Sequence, residues 1–523
     1  MLFAFQPSVK ILPKKNFVAQ WSAASTPESP YVIRLGMCGV VGITGTAEAA
    51  KEAFLGLTTL QHRGQDAAGI LSYDSSDLSG GFHCVKNLGL VDSVFTRENI
   101  ATLTGQTAIG HARYSTIGRG DLVDVQPFLM SYPFGIGMVH NGNVVNCEEL
   151  AQDLKTRARR HLLTHSDTEV VLNLFAEGLA KSPVGESTSA AQFEAICTSV
   201  SEIFKRVNGS YSIVTLVAGQ GMVAFRDPHG IRPLIWGKRG NAHMVASESV
   251  ALDFMGYKIE RNVEPGEVLF IDNGGKVFTR VIDPREKRHC MFEWVYFASP
   301  ESVIDNVPVY GARIDLGKQL ARQVKKLIAD GKIQADIIVP VPETSRIAAI
   351  ALAEELGIPY REVLIKNRYI KRTFILDSQE KRQNAVNLKL SPVRSEIEGK
   401  RVILLDDSIV RGTTSKKIID LVRKAGASKV YFISTCPPIK YPCFYGIDFP
   451  NGDELIAHKR NLAEIEKELG ADAVIFQDSE GLLASITKAP GCGRPCTACL
   501  DGNYPSDVAA GKRFTETRKG DRK

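Results

Sequence analysis

Leu404-Leu405-Asp406-Asp407-Ser408-Ile409-Val410-Arg411-Gly412-Thr413-Thr414 joins an apolar run to two adjacent carboxylates and then to a turn carrying glycine and hydroxyls. Arg401-Val402-Ile403-Leu404-Leu405 reads as a buried strand, and the periodic stretch Ser415–Ala425 as the helix that follows it. The free N–H groups at the start of such a helix form a cradle for phosphate, and the Thr413 and Thr414 hydroxyls add donors. Adjacent acids suit Mg²⁺ and the hydroxyls of a sugar. The spacing is not that of the Gly-x-x-x-x-Gly-Lys-Ser/Thr nucleotide loop. The residues alone leave one alternative, an acidic strand end followed by an ordinary N-capped helix.

The same texture extends outward. Asp336-Ile-Ile-Val-Pro-Val341 predicts a buried strand followed by a helix over Arg346–Leu356, and Lys429-Val-Tyr-Phe-Ile-Ser434 predicts a further strand. Strand–helix alternation beyond about Asp283 implies a parallel α/β sheet, whose ligands sit at the carboxyl ends of its strands. The Lys- and Arg-rich segment Lys366–Leu390 has little apolar periodicity and reads as a basic loop. Before Asp283 come short β-like runs such as Cys38-Gly-Val-Val-Gly-Ile43, Gly135–His140 and Ser210–Leu216. Helical patterns lie near Ser166–Leu179 and Ser189–Val207. A mostly antiparallel sheet layered with helices follows.

The chain has 523 residues, enough for two to four domains, with 44% hydrophobic and 23% charged residues. Its net charge, 64 − 58 = +6, is too mild to imply nucleic acid and suits small anionic ligands. No apolar run approaches the roughly 18 residues of a membrane span. Ten cysteines are too sparse for a disulfide scaffold and suggest thiols in a reducing compartment, with a ligand pair at Cys496-x-x-Cys499. Residues 1–36 hold one acid, Glu28, against Lys10, Lys14, Lys15 and Arg34. That stretch fits either an organelle transit peptide or a start upstream of a true initiator, Met37.

Five motifs in the first half carry chemistry: Cys38-Gly-Val-Val-Gly, Gln61-His-Arg-Gly-Gln-Asp-Ala-Ala-Gly69, Gly110-His-Ala-Arg-Tyr-Ser-Thr116, His140-Asn-Gly-Asn143 and Ser166-Asp-Thr-Glu169. In order and spacing they resemble the class II, N-terminal-nucleophile glutamine amidotransferases. The Asp406–Thr414 stretch resembles the phosphoribosyl pyrophosphate (PRPP) loop of type I phosphoribosyltransferases. The two together, with Phe225-Arg-Asp-Pro-His-Gly-Ile-Arg-Pro-Leu234, Ala246-Ser-Glu-Ser249 and Lys366-Asn-Arg-Tyr369, resemble the amidophosphoribosyltransferase family over Cys38–Ser485.

That resemblance implies an N-terminal-nucleophile αββα sandwich over 38–283, a type I phosphoribosyltransferase domain over 284–485 and a cluster-binding tail over 486–523. Residues 1–37 are expected to be absent from the mature chain. Cys38 would be the nucleophile, with its own α-amino group handling the proton. An α-amino group near pKa 8 and a thiol near 8.5 exchange a proton at almost no cost, and a peptide nitrogen cannot do so. By resemblance Asn141 and Gly142 form the oxyanion hole, Arg113 holds the substrate carboxylate and Asp167 its ammonium. Val339-Pro-Val-Pro-Glu-Thr-Ser345 would face pyrophosphate, with Thr344, Asp406 and Asp407 around Mg²⁺. Ser408, Arg411, Gly412, Thr413 and Thr414 would hold the 5-phosphate, and the segment from Lys366 would close as a lid. Cys290, Cys443, Cys496 and Cys499 match the iron–sulfur branch and its [4Fe–4S] ligands; a Cys₄ zinc site, or unligated thiols, is the alternative. Cys436 and Cys492 are read as spare thiols. The resemblance further implies glutamine and PRPP as substrates, purine nucleotides as inhibitors and a homotetramer. It implies no nucleic acid, no membrane, and a cytoplasmic setting, or a plastid one if 1–37 is a transit peptide.

Overall fold

Strand Gly39–Thr44 pairs antiparallel with Ala242–Ala246 on one side and with Thr107–Arg113 on the other. It lies in a seven-stranded sheet running Lys258–Asn262, Ile235–Arg239, Ala242–Ala246, Gly39–Thr44, Thr107–Arg113, Ala67–Tyr73, Phe82–Leu88. A six-stranded sheet stacks on it: Val277–Val281, Glu267–Asp272, Gly221–Arg226, Gly209–Val217, Ile136–Val144, Phe128–Met130. The computed structural model describes residues 37–77, 81–114, 122–181, 188–366, 390–449 and 452–513. The proposed leader, the body of the proposed lid (367–389) and Ser115–Thr116 of the third motif lie outside the described residues.

Val40, Leu71 and Ile109 of the first sheet interleave with Val139, Val214 and Leu216 of the second, because alternate side chains of each strand point inward. Gly42 permits the close approach: a methyl there would lie 2.5 Å from Val214 Cγ1. Helices Asp167–Ala180 and Ser189–Arg206 cover the outer face of the second sheet through Val171, Phe175, Ile196 and Ile203. Helix Ala49–Thr59 covers the first sheet through Ala53 and Leu57. The result is an αββα sandwich, with both helical patterns read from the sequence in place.

The second half is built on a four-stranded parallel sheet in the order Ile337–Pro340, Arg401–Asp406, Lys429–Ser434, Ala473–Phe476. Helices Val309–Ala329 and Arg346–Leu356 bury Leu320, Val324 and Leu352 on one face. Helices Thr413–Lys424 and Leu462–Leu469 bury Ile418, Ile419 and Leu469 on the other. The helix expected from Ser415 begins at Thr413, because Gly412, at φ +77°, is the last non-helical residue before it. Between the halves, Glu293–Phe297 winds with i→i+5 bonds, Ala298 N–H donating to Glu293 O at 2.9 Å.

Candidate active site

Because Gly39 faces Ala112 across the first sheet, Cys38 falls beside the end of strand Thr107–Arg113. Its thiol lies 3.8 Å from Tyr114 O. Burial pushes the thiol pKa up, while the neighbouring Arg113 and Arg63 oppose that and Asp167 adds to it. A thiol so raised needs a base to become a nucleophile. Its backbone nitrogen is still bonded to Met37, which is 2% exposed and donates its N–H to Arg63 O at 3.0 Å.

The second sheet supplies the other side of the site. Asn141 is 1% exposed, and among the described residues neither polar atom of its side chain has a hydrogen-bond partner. Burying an unpaired amide costs free energy, so an amide kept there points to a ligand that satisfies it. Gly142 sits at φ +148°, where a side chain would collide with Ser210 O. Asp167, at the first turn of its helix, accepts from Val144 N–H at 3.0 Å and approaches His140 Nδ1 at 3.5 Å. Burial alone would raise its carboxyl, but His140 and the backbone donors outweigh that and hold it below the usual range. Arg113 is buried with Asp124 3.9 Å away. Opposite charges on Arg113 and Asp167 beside one thiol match the carboxylate and ammonium of an α-amino acid. Buried His111 sits near Arg113 and His140; burial first, and then these two neighbours, hold its pKa down to about 3, so it is neutral at pH 7.

The parallel sheet positions a second set. Register pairs Pro340 with Leu405 and Asp406 with Ser434, so the 341–345 and 407–412 loops leave adjacent strands at the same edge. Asp407 N–H donates to Asp406 Oδ1 at 2.9 Å, and the Ser408 hydroxyl donates to Asp407 Oδ1 at 2.7 Å. Burial, and then the repulsion of Asp407, raise the Asp406 pKa well above the carboxylate range, and burial lifts Asp407 to about 6. Such a pair is a donor set that a divalent cation would relieve. Gly412 leads into helix Thr413–Lys424 with no side-chain cap on its first N–H groups, as a phosphate cradle requires. Arg411 pairs with Glu454 at 2.9 Å and keeps its Nε unpartnered. Lys366, ending strand Leu364–Lys366, reaches Glu343 at 3.8 Å, beside Thr344 in the same loop.

Cys290, Cys443, Cys496 and Cys499 feel one another electrostatically, and burial raises all four thiols. Cys290 and Cys496 form a parallel bridge, and Cys496 N–H donates to His289 O at 2.7 Å. Cys499 O accepts from Lys440 and Tyr441 N–H, and Tyr445 N–H lies 3.3 Å from Cys443 Sγ. Buried thiols with a backbone N–H on sulfur are the donor chemistry of a thiolate cluster. Among the described residues, however, no three Cys, His, Asp or Glu groups converge at metal-binding distance.

Several residues given no role in the sequence connect the two halves. Arg63 bonds Cys38 O through Nε at 3.1 Å, Glu248 at 2.5 Å and Glu293 at 2.9 Å. Arg232 bonds Glu293 at 3.4 Å and Tyr445 O at 3.0 Å, and all four charged groups are buried. Arg313 ties the turn below them, donating to Trp294, Tyr296 and Ala298 carbonyls, and stands near enough to Asp407 to favour its ionised form. The signal for Arg63, Arg232 and Glu248 lay in the second motif, the 225–234 stretch and Ala246-Ser-Glu-Ser249; nothing local marked Glu293 or Arg313.

Comparison with known proteins agrees with this division. A model described as glutamine amidotransferase domain matches residues 111–254, and one described as phosphoribosyl transferase domain matches 312–441. Amidophosphoribosyltransferase of Escherichia coli is 44% identical over 458 residues, 86% of this chain and 88% of that protein. That of Pseudomonas aeruginosa is 43% identical over 455 residues, 86% and 89% of the two. The solved glutamine PRPP amidotransferase of Bacillus subtilis, complexed with ADP and GMP, superposes with a TM-score of 0.78 at 39% identity, covering 90% of this chain and 98% of that one. Among the described residues no helix is long and apolar enough to cross a membrane.

Proposed function

The chain belongs to the amidophosphoribosyltransferase family, and on that premise we propose how its residues divide the work. The reaction takes glutamine, water and PRPP to glutamate, pyrophosphate and 5-phosphoribosylamine, the first committed step of purine synthesis. Cys38 Sγ attacks the glutamine carboxamide, and ammonia leaves as a thioester forms. Water then releases glutamate. The α-amino group of Cys38, freed by loss of Met37 and whatever precedes it, takes and returns the proton. Asn141 Nδ2 and Gly142 N–H receive the developing oxyanion, while Arg113 and Asp167 hold the two ends of the amino acid.

Ammonia passes internally to the second half, where it attacks C1 of PRPP and displaces pyrophosphate. Ser408, Arg411, Gly412, Thr413 and Thr414 hold the 5-phosphate, and Asp406 and Asp407 the ribose hydroxyls; Lys366 and the segment beyond it shield the leaving group. Thr344, Asp406 and Asp407 would hold Mg²⁺, which neutralises pyrophosphate charge when bound. Cys290, Cys443, Cys496 and Cys499 would hold a [4Fe–4S] cluster with a structural role, tying tail and linker to the catalytic halves. We divide the chain at 37, 283 and 485, and assign it a homotetramer in the cytoplasm, where these thiols stay reduced. Purine nucleotides are the assigned inhibitors, in keeping with the ADP and GMP on the Bacillus protein.

The observation that carries the reading is the meeting of Cys38, Arg113 and Asp167 from three distant segments with an unpartnered, buried Asn141 nearby. Its test is glutamate release by anaerobically purified protein begun at Met37, with and without PRPP and Mg²⁺. Release stimulated by PRPP, with phosphoribosylamine trapped, is expected. No release from protein whose free N-terminus is Cys38 by mass spectrometry would sink the assignment of the glutaminase site.

A further inference from the structure

A segment of the second half is fastened onto the strand that carries Asn141 and Gly142. Asn143 Nδ2 donates to Phe444 O at 2.9 Å, and the Ser210 hydroxyl donates to Tyr445 O at 2.9 Å. Arg232 donates to the same Tyr445 oxygen through Nε at 3.0 Å and through Nη2. Ser210 is the direct cross-strand partner of Asn143, so these anchors lie side by side. Gly446, at φ +97°, completes the approach: a methyl on it would stand 3.1 Å from Gly142 O.

Gly142 has no side chain to fix its peptide planes, and its φ of +148° is one that glycine adopts freely. The direction of its N–H is therefore set by what surrounds it. A side chain at Gly142 would meet Ser210 O, and one at Gly446 would meet Gly142 O, so the 443–446 segment bears on the Gly142 carbonyl and reaches the N–H through the φ and ψ of that glycine. An oxyanion donor is effective only when preorganised toward the developing charge.

We propose that Cys443–Gly446 is a strap that orients the Gly142 N–H from outside its own half of the chain, with Asn143 the positioning residue that fastens it. The proposal rests on reading Asn141 and Gly142 as the oxyanion donors. Two properties follow. The glutaminase rate depends on a segment that touches no part of glutamine, and displacement of Cys443–Gly446 is felt in turnover rather than in glutamine affinity.

The test uses the full chain with Cys38 confirmed as its N-terminus, comparing the parent with Asn143→Ala, Gly446→Ala and Asn141→Ala. Glutamate release is measured against glutamine concentration, and phosphoribosylamine formation against ammonium with saturating PRPP. For Asn143→Ala the expected result is a fall in glutamine-dependent kcat on the order of tenfold, KM within about twofold, and an unchanged ammonia-dependent rate and thermal midpoint. Gly446→Ala should lower the same kcat further while keeping the ammonia-dependent rate. If Asn143→Ala keeps the parent kcat, or if both rates fall together, the strap is overturned. Asn141→Ala separates the two readings. If it leaves kcat intact, the oxyanion assignment itself fails; if it alone lowers kcat, only the strap fails.

Discussion

Replacing Asn141 with alanine should pull turnover and stability in opposite directions. The side chain is 1% exposed, and among the described residues neither its oxygen nor its nitrogen has a hydrogen-bond partner. Leaving a buried polar group unsatisfied costs about 1–3 kcal/mol, so truncation removes that penalty and breaks no hydrogen bond to a described residue. Against that stands the small space left by the amide, and the net expectation is a folded state unchanged or stabilised by about 1 kcal/mol. In the transition state the same amide would gain its one strong partner, the oxyanion. Loss of such a donor lowers kcat by roughly 10²–10³, or about 2.7–4 kcal/mol. The assay is glutamate release under saturating glutamine, with ammonia-dependent phosphoribosylamine formation as internal control and a urea midpoint for stability. Lower kcat, an intact ammonia reaction and an equal or higher midpoint are expected. A variant that loses stability by more than about 2 kcal/mol while retaining kcat would refute the reasoning, since Asn141 would then be a structural amide.

Other consequences are equally open to measurement. Asp407 is raised to about 6 from an ordinary 3.8, so the folded state holds its proton more tightly than the unfolded one. Its contribution is therefore favourable at low pH and is lost as pH rises from about 4 through about 6, an effect of up to roughly 3 kcal/mol. Asp407→Asn should raise the thermal midpoint at pH 7.5 and not at pH 4, and Mg²⁺ should stabilise the parent at pH 7.5 more than that variant. Arg63→Met should lower the urea midpoint by the equivalent of about 3–5 kcal/mol, because it leaves Glu248 and Glu293 facing each other's charge while buried; a change under about 1 kcal/mol would show that the network is not sealed from water. Gly412→Ala forces a side chain against Ile456 at φ +77°, and should raise the KM for PRPP on the order of tenfold in the ammonia-dependent assay. An unchanged KM would move the phosphate elsewhere.

The strand, paired acids, glycine turn and helix start of 404–414 were legible because they lie within eleven successive residues, each marked by its own local chemistry. The helices over 167–180 and 189–206 were equally legible from their apolar spacing. The thiol quartet was legible only in part. Cys496 and Cys499 share one local spacing, whereas Cys290 meets them through a backbone β-bridge to Cys496, 496 − 290 = 206 positions along the chain. Arg63, Arg232, Glu248 and Glu293 were opaque as a group, since a charged residue in a sequence reads as surface until its partner is known. In the structure all four are buried, and burial alone would lower the Arg63 pKa were Glu293 and Glu248 not beside it.

What the sequence determined by itself was local chemistry: the periods of its strands and helices, the loop that follows Asp406, and the order of motifs that begins at Cys38. Period, turn chemistry and short spacing are properties of neighbouring residues, so they survive without a fold. What only the tertiary structure decided was which of those pieces touch. Asn143 meets Phe444 across 301 positions, and the Asn141 side chain lies buried with no hydrogen-bond partner among the described residues. Contacts of that range depend on sheet stacking and register, and the physical reason they escape the sequence is that no local preference encodes them.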